Sequence, residues 1–110
     1  MLDPLLHQET RLRIVAALHR NGEVSFATLT GELKLTPGNL GSHAKRLEDS
    51  GYVFQRHAIT PTGIELRYRL TAQGTAAFLS YLDALRELVP LASPLATEPK
   101  RANDPSNTVE

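Results

Sequence analysis

Pro37 follows a threonine directly and opens a run with helical spacing, and that placement constrains this chain more than any other feature. Proline lacks a backbone N–H and breaks a helix from inside, but it is well tolerated at the first position. The Thr36 hydroxyl can then accept from the unpaired N–H groups of the first turn. A helix is therefore expected to begin at Pro37. Leu40, Ala44 and Leu47 repeat on one face of it, and Gly51 is placed for the left-handed turn that ends it. Ahead of it, Ser25 is suited to cap a shorter helix in which Phe26, Leu29 and Leu33 share a face. Two helices joined so closely form a helix-turn-helix, whose second member can lie in a DNA major groove.

The flanking segments are read in the same way. Asp3-Pro4 opens a first helix carrying Leu5, Leu6, Leu12, Ile14, Val15 and Leu18, and it ends near Asn21-Gly22. A break near Gln8 or Glu9 would divide it into a short leader and a longer helix. Arg11, Arg13 and Arg20 are expected to be mostly solvated. The apolar set is wide, and it serves either one generous core face or a second face buried against another subunit. Val24 lies in a short extended link able to pair as a minor strand.

Beyond Gly51, Tyr52 to His57 and Glu65 to Leu70 read as strands; in the second, Leu66, Tyr68 and Leu70 alternate with Glu65, Arg67 and Arg69. Ala58 to Ile64 joins them as an extended tip with Pro61 and Gly63 as turn residues, which makes a wing. Thr71 is expected to cap a last helix. There Phe78, Leu82, Leu85 and Val89 form an apolar stripe with Tyr81 and Leu88 beside it. Such a stripe suits a copy of itself, with folding back over the hairpin as the other option. The expected dimer interface is Leu5, Leu6, Phe78, Tyr81, Leu82, Leu85, Leu88 and Val89.

The expected fold is thus mainly α with a small β-hairpin: a winged helix-turn-helix over residues 1–89, extended by a C-terminal dimerisation helix. Residues 90–110, rich in proline and polar residues and without periodicity, are expected to be a disordered tail.

Composition narrows the chemistry. A chain of 110 residues supports one modest core. It has no cysteine, which removes disulfides and thiolate sites. No apolar run approaches the roughly 20 residues that span a bilayer, and Met1 to Pro4 does not resemble a signal peptide. A soluble, cytoplasmic protein is expected.

His7, His19, His43 and His57 are scattered without metal-ligand spacing, and no Ser-His-Asp arrangement is visible. Catalysis, a resident metal and a cofactor are not expected. The one arrangement left for a metal is a bridge between subunits through His7 or His19 with Asp83 or Glu87.

Formal net charge is +0, so any nucleic-acid signal must be local. Between Lys34 and Arg69, the cations Lys34, Lys45, Arg46, Arg56, Arg67 and Arg69 face only Glu48, Asp49 and Glu65. With Leu40, Ala44 and Leu47 turned inward, Asn39, Ser42, His43 and Arg46 lie on or beside the open side of the second helix. Asn suits adenine, Arg suits guanine, and Ser suits several base edges. His43 has other uses open to it, a phosphate or a partner within the protein. Gly38 and Gly41 each cost about 1 kcal/mol of helix stability relative to Ala. They are explained either by close approach to DNA or by close packing on the preceding helix.

Four stretches in order complete the picture: Leu2 to Gln8 with Arg11 to Ile14, Leu35 to His43, Leu47 to Val53, and Tyr68 to Gly74. Through them the chain resembles the MarR/ArsR-like winged-helix transcriptional regulators of bacteria and archaea, in particular their small single-domain members, over residues 2–89. The resemblance implies a homodimeric, sequence-specific regulator, a repressor on an inverted repeat. Its second helix would enter the major groove and its wing would touch the backbone or minor groove. Carried over by position, Thr36, Pro37, Gly38, Asn39, Ser42, His43 and Arg46 face the groove, with Lys45 adjacent. Arg56, His57 and Arg67 are the wing's contributors. The chain departs from many relatives in a tip, Ala58 to Ile64, that carries no charge. The expected partners are double-stranded DNA and a second copy of the chain. The alternative is a winged-helix adaptor that binds another protein. RNA recognition has no aromatic stacking surface to recommend it.

Overall fold

Hydroxyl side chains start three of the four helices among the described residues. In the computed structural model, which describes residues 2–89, the Ser25 Oγ accepts from Thr28 N at 3.0 Å and the Thr36 Oγ1 from Asn39 N at 3.1 Å. The Thr71 Oγ1 accepts from Gly74 N at 2.9 Å. These caps open α2 (Phe26–Leu33), α3 (Pro37–Asp49) and α4 (Ala72–Leu88). The expected tail lies outside the described residues.

The first helix does break where its sequence allows. Gln8, not Asp3, caps α1 (Glu9–Asn21), its side chain accepting from Arg11 N at 2.8 Å. Asp3 caps only a single turn ahead of it, accepting from Leu5 N at 2.9 Å. Gly22 and Gly51 end α1 and α3 with φ of 87° and 82°. Lys34 ends α2 at φ 56°, a left-handed position usually held by glycine or asparagine.

A three-stranded antiparallel sheet, ordered β1 (Val24–Ser25), β3 (Gly63–Leu70), β2 (Val53–Thr60), closes the other side. Val24 pairs with Tyr68, so the short link is a strand. The β2–β3 ladder runs from Val53 opposite Leu70 to Thr60 opposite Gly63. This corrects the expected wing tip. Ala58, Ile59 and Thr60 continue the ladder, and only Pro61 and Thr62 are left to turn. Ile59 directly opposite Ile64 is a β-branched pair that favours continued pairing.

Register assigns the two faces of the sheet. Gln55, Tyr68, His57, Leu66, Ile59 and Ile64 share one face, and Phe54, Arg69, Arg56, Arg67, Ala58 and Glu65 the other. The core joins Leu6, Ile14, Val15, Leu18, Leu29, Leu40 and Leu47 to Val53, Tyr68, Phe78 and Tyr81.

Two expectations change here. Arg11, expected in solvent, is only 8% exposed. Leu6, Phe78 and Tyr81, expected at a dimer interface, are buried in the protomer's own core. The seat of α4 explains part of this. Thr71 N and Oγ1 donate to the Tyr52 and Gly51 carbonyls at 3.0 and 2.6 Å. Gly74 presses so closely on Tyr52 that a Cβ there would collide with its carbonyl oxygen.

Candidate nucleic-acid interface

Burial of Leu40, Ala44 and Leu47 fixes the rotation of α3 about its axis. The opposite side is therefore open: Asn39, Ser42, Lys45 and Arg46 are exposed, as are Thr36, Pro37 and Gly38 at the helix start. Apart from the adjoining residues and the helix's own backbone, no heavy atom among the described residues lies within 4 Å of where a Cβ would stand at Gly38 or Gly41. Close packing on α2 therefore does not account for these glycines, and space above them remains. Lys45 Nζ lies 3.4 Å from Asp49 Oδ1 in an exposed pair of the kind that contributes little. Arg46 has no carboxylate partner among the described residues.

His43 stands apart from this set. It is half-buried on the flank of α3 that meets α1, with its Nδ1 at 3.2 Å from Arg11 Nη1. Arg11 Nε in turn donates to the Leu5 carbonyl at 2.7 Å. Burial, then Arg11 and Arg46, push His43 below the ordinary imidazole range. Burial and Arg46 lower Arg11 in the same sense.

Two of the hairpin arginines are neutralised, while Arg69 stacks over the Phe54 ring instead. Arg56 and Arg67 stand directly opposite each other on the ladder, where like charges repel. Glu23, from the α1–β1 connection, accepts from Arg56 Nε and Nη2 at 2.7 and 2.8 Å and lies 3.6 Å from Arg67 Nη1. Arg67 Nε also meets Glu65 at 2.6 Å. The hydrogen bond from Arg56 holds Glu23 below the ordinary carboxylate range, aided by the charges of both arginines. Glu23 lies outside the stretch from Lys34 to Arg69 and offsets one of its positive charges. His57 projects from the opposite face of the sheet to Arg56 and Arg67. The wing contributors are thus divided, while Thr36 to Arg46 is brought together. At the tip, Ile59 is 90% and Ile64 73% exposed.

Of the expected interface residues, Leu82, Leu88 and Val89 are exposed, and Leu5 and Leu85 are half-buried. Leu79 joins the open apolar surface. His7 Nδ1 meets the Tyr81 hydroxyl at 2.9 Å, and His19 lies against the Phe78 ring. Among the described residues no three His, Cys, Asp or Glu are grouped to hold a metal, and no helix is long and apolar enough to cross a membrane.

Sequence reasoning missed two residues here. Arg11 had a signal, since it falls in register with Ile14, Val15 and Leu18 on the buried stripe of α1. Glu23 had none, because its partners are brought to it only by the fold.

Residues 10–89 match the family described as winged helix DNA-binding domain. An uncharacterized protein of Methanocaldococcus jannaschii is 29% identical over 84 residues, spanning 76% of this chain and 91% of that one. Among solved structures, a transcriptional regulator homologue from Pyrococcus horikoshii OT3 superposes with a TM-score of 0.73 at 28% identity, covering 76% of this chain and 83% of that one. The transcriptional regulator HlyU from Vibrio vulnificus CMCP6 gives 0.59 at 28% identity, covering 74% and 79%.

Proposed function

Since the chain belongs to the winged helix DNA-binding domain family, we propose that it is a MarR/ArsR-like transcriptional regulator acting in the cytoplasm as a homodimeric repressor on an inverted-repeat operator. The outward side of α3 carries this reading: Thr36, Pro37, Gly38, Asn39, Ser42, Lys45 and Arg46 are uncovered on a helix whose inner side is locked. Asn39, Ser42 and Arg46 supply donors and acceptors that match base edges, and the bare backbone at Gly38 and Gly41 leaves room for a phosphate or base to approach. The open apolar residues at the end of α4, Leu82, Leu88 and Val89, would join two protomers, with half-sites about 34–36 Å apart.

Selection of bound sites from a random duplex library tests binding, symmetry and sequence together. The expected result is a palindromic consensus, bound by a dimer in sedimentation, with affinity that weakens as salt rises. Equal affinity for every duplex at moderate salt would reject the specific regulator. The exposed isoleucines and tethered arginines of the wing favour a second reading, an adaptor that docks another protein. Replacing Ser42 and Arg46 by Ala separates the two, because only the regulator loses DNA binding with fold and dimer intact.

A further inference from the structure

Arg11 is the one charged residue in the buried set, and no carboxylate pairs with it among the described residues. A buried guanidinium without a counter-charge is costly to keep, which asks what it does there. Its two side-chain partners are the Leu5 carbonyl and the Nδ1 of His43. Guanidinium offers only N–H donors and no acceptor. The bond to His43 therefore exists in one sense: Arg11 donates and Nδ1 accepts. The proton of the neutral ring must then sit on Nε2, which has no partner among the described residues.

We infer that Arg11 is a positioning residue for DNA recognition: by occupying Nδ1 it fixes His43 as a neutral group with a single Nε2–H donor, offered on the flank of α3 to an acceptor of the duplex. The acceptor chemistry is a phosphate oxygen or an acceptor on a base edge. This inference rests on the regulator reading above.

The surroundings act in the same sense. Burial disfavours the imidazolium, and the charged groups near the ring, Arg11 from α1 and Arg46 on α3, are both positive. Protonation of Nδ1 would replace the hydrogen bond with repulsion. The unfolded chain protonates His43 near its ordinary value of 6.5, before the native chain does. This contribution to stability is therefore fully present above that value and declines as pH falls from it toward the depressed native one.

The test begins on the full chain without DNA. Long-range nitrogen–proton correlation spectra at neutral pH should show His43 protonated on Nε2 and bare on Nδ1; the reverse tautomer overturns the inference. Binding is then measured to a duplex recovered from the random library. His43→Ala should lose about tenfold, the equivalent of one good hydrogen bond. His43→Gln, whose amide N–H can take the place of Nε2–H, should regain most of it.

Arg11→Met should return His43 to mixed tautomers and an ordinary titration. Its DNA affinity should then rise as pH drops through about 6.5, while the wild type stays level there. If the acceptor is a phosphate, His43→Ala weakens all sequences alike; if it is a base edge, the preference at one position of each half-site relaxes. Wild-type affinity in both His43→Ala and Arg11→Met would overturn the inference. Should Arg11→Met fail to fold, the wild-type spectrum and the two His43 variants still decide. A wild-type chain with the stated tautomer that binds no duplex would sink the regulator reading and the DNA role of His43 with it, visibly apart from the ring assignment.

Discussion

The outer side of α3 and the outer face of the wing both carry arginine, and they are built on opposite plans. On α3, Arg46 stands without an acid partner among the described residues, and the guanidinium of Arg11 adds to the positive field near it. On the wing, Arg56 and Arg67 are placed opposite each other and then quenched by Glu23 and Glu65. The first arrangement leaves charge to be satisfied by something outside the protein. The second satisfies it within. Counting basic residues along the chain weights the two equally, whereas the geometry leaves uncompensated charge on α3 and ties it up at Arg56 and Arg67.

The contrast is open to direct attack. Replacing Ser42 and Arg46 together by Ala should have the largest effect, a loss of about 1–3 kcal/mol of specific DNA binding per lost base contact, with the circular dichroism melt unchanged. Should Arg56→Ala with Arg67→Ala cost more than this pair, the ranking of the two surfaces is reversed. Thr36→Ala removes the cap that starts α3 and should cost about 1 kcal/mol of stability in urea unfolding, because Asn39 N loses its acceptor. Glu23→Gln sharpens the comparison from the other side. Freed of their counter-charge, the wing arginines should strengthen binding at low salt and steepen its salt dependence by about 0.9 in log–log slope for each phosphate newly neutralised. An unaltered slope would mean that the wing never reaches the backbone. Smallest of all, Ile59→Ser with Ile64→Ser should change stability by no more than about 0.5 kcal/mol per site, since both side chains already stand in water.

What was legible in the sequence was local. Ser25, Thr36 and Thr71 announce their helices because a cap and the N–H it serves lie within three residues of each other. The alternation from Glu65 to Leu70 likewise fixed which side of the hairpin meets the core. Long-range pairings were not legible. Nothing near Glu23 hints at Arg56, 33 residues away, and nothing near Arg11 hints at His43, 32 residues away.

Periodicity was also blind to the identity of a partner. Phe78 and Tyr81 share a stripe with Leu82 and Leu85, yet the first two are spent on the protomer's own core. The same apolar spacing serves an internal neighbour and a second subunit equally well. At the wing tip, Pro61 and Gly63 correctly marked a turn, but the Ile59–Ile64 pair drew the ladder closer to it than turn residues alone suggest.

The root of the hairpin and the start of α4 are mortised together: one carbonyl, that of Tyr52, takes the amide of Thr71 and also bears against the bare Cα of Gly74. A joint of this kind has no slack. A methyl group added at Gly74 would fall on that carbonyl, so Gly74→Ala must displace either the start of α4 or the root of the hairpin.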